Sequence, residues 1–299
     1  MLKSNGNLMI FILTIGVFSI INTEMGVIGI LPLLAERFGV SIPQAGLLIS
    51  LFALAVAFSG PVMPLLFSGM ERKKVMLLVL GLFALGNIAG MCTDNFAVAL
   101  AARVLPAFLH PVYCSLAFSV AGASVPEKDR LKAVAKVIVG VSAGMVLGVP
   151  ISSFVAANFS LDAAMAVFAA GNLLAFAATL VFVPRLPVEG RASCKEQLVL
   201  LKRPVLWLSI AGIIFMNGAV FGVFGFYSGY LEQITHLSWN NISAVLFIYG
   251  CANILGNIIG GRLLLPKRRC ARQCCLPRHW RPYIWWCILR TLMHRPWWH

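Results

Sequence analysis

Long apolar stretches alternate with short polar ones from the start of the chain to about residue 265, with windows at 8–31, 44–67, 75–92, 97–122, 133–158, 161–183, 205–230 and 241–265. A helix needs about 20 apolar residues to cross the hydrocarbon core of a bilayer, and these windows meet that length. They lack the two-residue alternation of barrel strands, and lipid offers no partner for free backbone polar groups, so the predicted elements are eight transmembrane helices. The fold class is therefore all-α, a polytopic membrane protein with a helical bundle. The first window is longer than a signal-peptide core and no small-x-small cleavage site follows it, so it is expected to remain in the mature protein.

Composition agrees with this pattern: 60% of the 299 residues are hydrophobic, 11% are charged and the mean hydropathy is +0.89. The basic residues add an orientation. With the N-terminus inside, the inner segments collect Lys3, Arg72, Lys73, Lys74, Lys128, Arg130, Lys132, Lys136, Arg185, Arg191, Lys195, Lys202 and Arg203, whereas the outer loops hold only Arg37. This asymmetry predicts both termini in the cytoplasm. It also accounts for most of the net charge of +14, which reports membrane orientation and not nucleic-acid binding.

Four segments follow from the same reading. Residues 8–183 hold six spans, 184–204 form a polar linker with Pro184, Pro187 and Pro204, and 205–265 hold two more spans. Residues 266–299 are a tail rich in Trp, Cys and basic residues, unlike anything before it. Three readings of the tail are open: a zinc site around Cys270, Cys274, Cys275 and His279, whose spacing fits no familiar pattern; a basic surface lying on anionic lipid; and a shift of reading frame after Leu264 or Leu265, which we prefer. Cys92, Cys114 and Cys251 read as small apolar residues inside spans.

The chemistry concentrates in few residues. Apart from Asp162 at the very start of the sixth window, Glu24 is the one carboxylate within a span, and intramembrane carboxylates are rare and tend to mark ion pathways. Glu24 lies about seven residues, roughly 10 Å at 1.5 Å per residue, below the outer end of the first helix. Arg103 lies at the same depth in the fourth. Depth alone thus predicts a buried pair of Glu24 and Arg103. A carboxylate whose neighbours change between two conformations can load a proton in one and release it in the other; a static pair that specifies helix packing is the alternative. His110, two turns deeper than Arg103, extends such a proton path or is simply a neutral imidazole bonded to a neighbouring helix. Gly140, Gly144 and Gly148 place three small positions on one stripe of the fifth helix, where another helix can approach closely.

The stretch from Asn22 to Pro61, Arg103 in "ALAARVLPAFLHP", and the glycine stripe with Pro150 in "VGVSAGMVLGVP" together resemble bacterial transporters of the major facilitator superfamily. Within it they are most similar to the drug/proton antiporter branch that includes arabinose efflux permease-like proteins. The resemblance covers residues 8 to about 264 and is not specific for a substrate. It implies twelve helices in two six-helix halves around a central cavity, with access alternating by rocking of the halves; eight are found here, so the chain reads as a truncated member. It also implies that Arg103 serves proton transfer and that Gly140, Gly144, Gly148 and Pro150 are the fifth-helix pattern of exporters. Gly60, Arg72 and Lys73 are similar to the superfamily's signature loop, but Ser68 stands where an aspartate is usual, which puts a charge-relay role in doubt. Asn22, Asn217, Tyr227, Asn253 and Asn257 are candidate substrate-cavity residues.

No phosphate-binding loop, paired-carboxylate site or Ser/His/Asp arrangement is present, so neither an enzyme nor an ATP-driven pump is expected, and no cofactor or metal is required. The expectation is a monomeric, proton-coupled exporter of a drug-like compound, sugar or nucleoside in a bacterial inner membrane. The alternative is a non-transporting membrane fragment.

Overall fold

The structure, a computed structural model, describes residues 6–185 and 204–263, and among these it is helical throughout, without a strand. Thirteen helices follow one another: α1 (Gly6–Gly29), α2 (Leu31–Arg37), α3 (Ile42–Ala45), α4 (Leu47–Ser59), α5 (Met63–Leu66), α6 (Arg72–Met91), α7 (Phe96–Ala107), α8 (His110–Ala123), α9 (Arg130–Asn158), α10 (Leu161–Phe182), α11 (Pro204–Gly225), α12 (Tyr227–Gln233) and α13 (Trp239–Leu263). They make up the eight apolar windows, several of which are broken into two helices. Among the described residues six segments have the length and hydropathy to cross a membrane: Gly6–Gly29, Ile42–Ser59, Arg72–Met91, Phe96–Ala123, Glu127–Asn158 and Leu161–Phe182. This is a multi-pass membrane protein. The linker beyond Arg185 and the tail from Pro266 lie outside the described residues, as do the side chains of Asn217, Asn253 and Asn257.

The breaks have local causes. Pro32 sits at the start of α2 and cannot donate to the carbonyl four residues back, so α1 ends at Gly29 and the chain bends at Ile30. Pro111, at the start of α8, does the same to the fourth span, which divides at Phe108 and Leu109. The second span stops at Ser59 and resumes as α5 after Pro61. Helix starts are capped by side chains: Asn95 Oδ1 accepts from the amides of Ala97 and Val98, Ser160 Oγ accepts from Ala163, and Ser41 forms a capping box with Gln44.

α1 is the hub. It packs along its whole length on α9, and the glycine stripe of α9 makes the approach possible. A Cβ on Gly140 would stand 2.5 Å from the Thr14 carbonyl oxygen, one on Gly144 2.8 Å from the Ile21 side chain, and one on Gly148 3.2 Å from Met25. α1 answers with its own small residues: a Cβ on Gly29 would meet the Val149 carbonyl at 2.6 Å, and one on Gly26 the Phe168 ring at 2.4 Å. Apolar side chains are no better solvated by each other than by lipid, so such close backbone approach is a main source of helix association in a membrane. Pro150 is buried within α9.

Polar cross-links reinforce the six-span half. Thr23 Oγ1 accepts from Asn87 Nδ2 at 3.2 Å and from Asn172 Nδ2 at 2.8 Å, which ties α1 to α6 and α10. Ser19 Oγ donates to the Gly171 carbonyl at 3.0 Å. At one end of the bundle Arg37 bridges Asp94 and Asp162 and donates to the Met91 carbonyl. Arg37 thus joins α2, the α6–α7 loop and α10. At the other end Lys73 Nζ donates to the Leu180 carbonyl at 2.9 Å and Lys74 pairs with Glu71; Gly60 closes α4.

Candidate functional site

Four helices of the six-span half converge on Glu24. α1 supplies the carboxylate, α4 the Phe52 ring and the Leu48 carbonyl, α7 Arg103, and α8 His110 and Cys114. The break at Phe108 and Leu109 matters here, because it releases His110 from the straight-helix register with Arg103.

Arg103 does not take the Glu24 carboxylate as its partner. Its Nε donates to the Leu48 carbonyl at 2.9 Å, its Nη1 to the Thr23 carbonyl at 3.1 Å and its Nη2 to the Glu24 carbonyl at 2.9 Å. The face of the guanidinium lies over the Phe52 ring, 5.0 Å from its centroid. The planar fork of arginine thus satisfies three backbone oxygens on two helices, a geometry that the ammonium of lysine cannot reproduce. It pins α1 to α4 at the depth of Glu24 and leaves a positive charge close to the carboxylate without an ion pair to it.

The carboxylate turns to His110 instead: Oε2 lies 3.3 Å from Nε2. Neither side chain is fully enclosed, with 21% of the glutamate and 12% of the histidine exposed. Cys114 Sγ lies 4.0 Å from the same Nε2, and the edge of Phe52 faces the imidazole at 6.2 Å between centroids. His110 Nδ1 is buried without a hydrogen-bond partner. An Nε2–H donating to the carboxylate is the arrangement that satisfies both groups. The depth argument foresaw a Glu24 to Arg103 contact; the residues do meet, but through the backbone of Glu24, and the side-chain partner is His110.

The cavity between the six-span half and the last helices is small, about 60 Å³, far below the several hundred that a drug-sized ligand occupies. Met25, Ser142, Met145, Phe221, Phe224 and Tyr249 are among its lining residues. Phe224 and Tyr249 stack at 4.7 Å, with Tyr227 6.5 Å from Tyr249. Asn22 is buried in the α1–α9 seam beside Gly148, its Oδ1 without a hydrogen-bond partner. Phe52, and Cys114, which the sequence marked only as a small apolar residue, are part of the site; only the tertiary crossing of α4 and α8 brings them there. Among the described residues no group of His, Cys, Asp and Glu is arranged to hold a metal ion.

Comparison with known proteins agrees with this architecture. Residues 13–280 match the family model of the Major Facilitator Superfamily. The chain is 32% identical over 252 residues to the uncharacterized MFS-type transporter YtbD of Bacillus subtilis, covering 84% of this chain and 64% of that protein. It is 28% identical to the inner membrane transport protein YdhP of Escherichia coli and 27% identical to the putative transporter AraJ of Escherichia coli, each over 251 residues, with the same two coverages. The chain therefore spans a little under two thirds of the length of these relatives. Among solved structures, a bacterial homologue of the human lysosomal transporter Spinster superposes with a TM-score of 0.66 at 19% identity, covering 86% of this chain and 61% of that one. The human organic anion transporter MFSD10 superposes with a TM-score of 0.60 at 18% identity, covering 83% and 70%. With a family match that runs through most of its length and a fold shared with these proteins, the chain belongs to the Major Facilitator Superfamily.

Proposed function

We propose that the chain works in proton-coupled export of a small molecule by alternating access, with Glu24 as the proton carrier. The observation that carries this reading is the carboxylate itself: among the described residues the one acidic side chain placed away from the ends of a span, partly exposed, 3.3 Å from His110 and beside an arginine whose hydrogen bonds are all spent on backbone. A proton arriving at Oε2 cancels its charge and leaves only a weaker hydrogen bond to His110. The two then separate at little cost, and the helices that carry them, α1 and α8, are released from each other on that side. Loss of the proton restores the contact. Arg103 stays fixed to Leu48, Thr23 and Glu24 carbonyls through this cycle and keeps a positive potential over the site, which favours release of the proton once water returns.

Export as the direction rests on the pattern of Gly140, Gly144, Gly148 and Pro150, which resembles the fifth helix of exporters. Substrate would occupy an expanded form of the cavity beside Met25, Ser142 and Tyr249, with Asn217, Tyr227, Asn253 and Asn257 as further candidates. The surplus of basic residues at the Lys73 end supports a cytoplasmic position for that end and for both termini, in a bacterial inner membrane, with the chain acting as a monomer. Proteoliposomes carrying a pH-sensitive dye test the reading: substrate-dependent proton flux is expected for the active protein and is expected to vanish in Glu24→Gln. Flux in a longer relative, with none in this chain for any substrate of that relative, would instead favour a non-transporting membrane protein.

A further inference from the structure

The bend at Ile30 leaves backbone oxygens of α1 without their usual donors. Pro32 has no N–H to offer the Ile28 carbonyl, and the Ile30 amide turns to Val27 at 3.2 Å. Serine hydroxyls take up the vacant oxygens. Ser152 Oγ donates to Gly26 at 2.6 Å and Ser153 Oγ to Gly29 at 3.0 Å, both from α9 within the same half. The Ile28 carbonyl is served from elsewhere: Ser228 Oγ, at the start of α12 in the other half, donates to it at 2.8 Å.

Ser228 is fully buried. Around it α12 closes on the Arg37 end of the bundle, with Gly229 over Ile42 and Pro32, and Phe226 against Gly46. In the α11 turns that lead into it one face is open, since a Cβ on Gly218, Gly222 or Gly225 would meet nothing within 4 Å and Phe215 and Val223 are exposed, while Phe224 is buried. The Ser228 bond and the closure of α12 thus tie this segment to the first span at the Arg37 end.

We propose that the Ser228 hydroxyl and the proline-freed Ile28 carbonyl form the latch that holds the halves closed at the Arg37 end, and that it breaks each time that end opens. The inference rests on the alternating-access part of the reading above and not on proton coupling. Proline makes the latch reversible: the carbonyl has no intrahelical donor to fall back on, so it is left for water when the end opens and is ready for Ser228 when it closes.

Labelling of a buried position next to the latch tests it without substrate or proton gradient. The full chain carrying Leu231→Cys is reconstituted in lipid nanodiscs, treated with a water-soluble maleimide, and the peptide holding position 231 is followed by mass spectrometry. Leu231 is buried, so labelling reports the open population. Ser228→Ala is expected to speed labelling about two- to tenfold, the range for one lost hydrogen bond, and Ser228→Thr to keep the original rate. Pro32→Ala, which offers the Ile28 carbonyl an amide of its own, is expected to change the rate in the same direction as Ser228→Ala. Ser153→Ala, which uncaps Gly29 inside one half, is expected to change nothing. Unchanged labelling in both Ser228→Ala and Pro32→Ala overturns the latch, as does an equal acceleration in Ser153→Ala. Neither outcome touches the proton-flux test.

Discussion

Two seams of this molecule are built from similar residues and serve opposite ends. The α1–α9 seam lies inside one half and is closed throughout, glycine against backbone and serine against carbonyl. The seam between that half and α11–α13 is closed at one end, where Ser228 and Phe226 reach the first span, and encloses only a small cavity where Met25, Met145 and Tyr249 meet. Between them stands Gly250 of α13, whose Cβ would lie 2.6 Å from a Val146 methyl of α9. Close packing over a whole helix length makes a rigid body, whereas a seam held by a few separate contacts around a cavity can open. α1 belongs to both seams, and it carries Glu24.

The sharpest way to break this comparison is to force apart the seam that is meant to be rigid. Gly29→Val would press methyl groups into the Val149 carbonyl and the Ser152 and Ser153 hydroxyls, none of which can retreat without moving α9. Loss of folded protein is expected, seen as aggregation on size-exclusion chromatography. Gly250→Ala makes a similar contact in the other seam, but there the halves can separate. A much smaller loss of thermal stability is expected, about 1 kcal/mol, and equal damage from the two substitutions would erase the distinction.

Arg103 comes next. Arg103→Lys keeps the charge but cannot reach three carbonyls on two helices or lie flat on Phe52, so a loss of about 2–4 kcal/mol is expected in thermal unfolding. A variant as stable as the parent would mean that the carbonyl contacts do not pin α1. Glu24→Gln, by contrast, should leave stability within about 1 kcal/mol, because the amide can still accept from His110. Ser153→Ala is expected to cost about 0.5–1.5 kcal/mol for one buried hydrogen bond.

Much of this was legible in the sequence. The first six windows correspond to the six segments long and apolar enough to cross a membrane, and charge and length picked out Glu24, Arg103 and His110 before any contact was known. Depth placed Glu24 and Arg103 together because rise per residue is nearly constant along a helix. It could not choose between a carboxylate and a backbone carbonyl as the partner of arginine, since both lie at the same height. His110 was expected two turns deeper than Arg103 on one straight helix. The break before Pro111 changes that relation, and the proline that signals it stands in plain view. Phe52 and Ser228 were hidden for another reason: their roles depend on which helix crosses which, and no local pattern encodes a crossing. The glycine stripe announced a close neighbour without naming it; α1 is that neighbour because Gly26 and Gly29 are small in return.

The central claim is that Glu24 carries the proton, and infrared difference spectroscopy addresses it without knowledge of the substrate. Protein in lipid films is perfused between alkaline and acidic buffer, and the carboxylic C=O band that appears on protonation is recorded. The account predicts a band that is absent in Glu24→Gln and displaced in His110→Asn, where the hydrogen-bond partner is altered, while Lys73→Ala leaves it in place. A difference spectrum that is the same in Glu24→Gln as in the parent would contradict the account, for the proton would then be carried elsewhere.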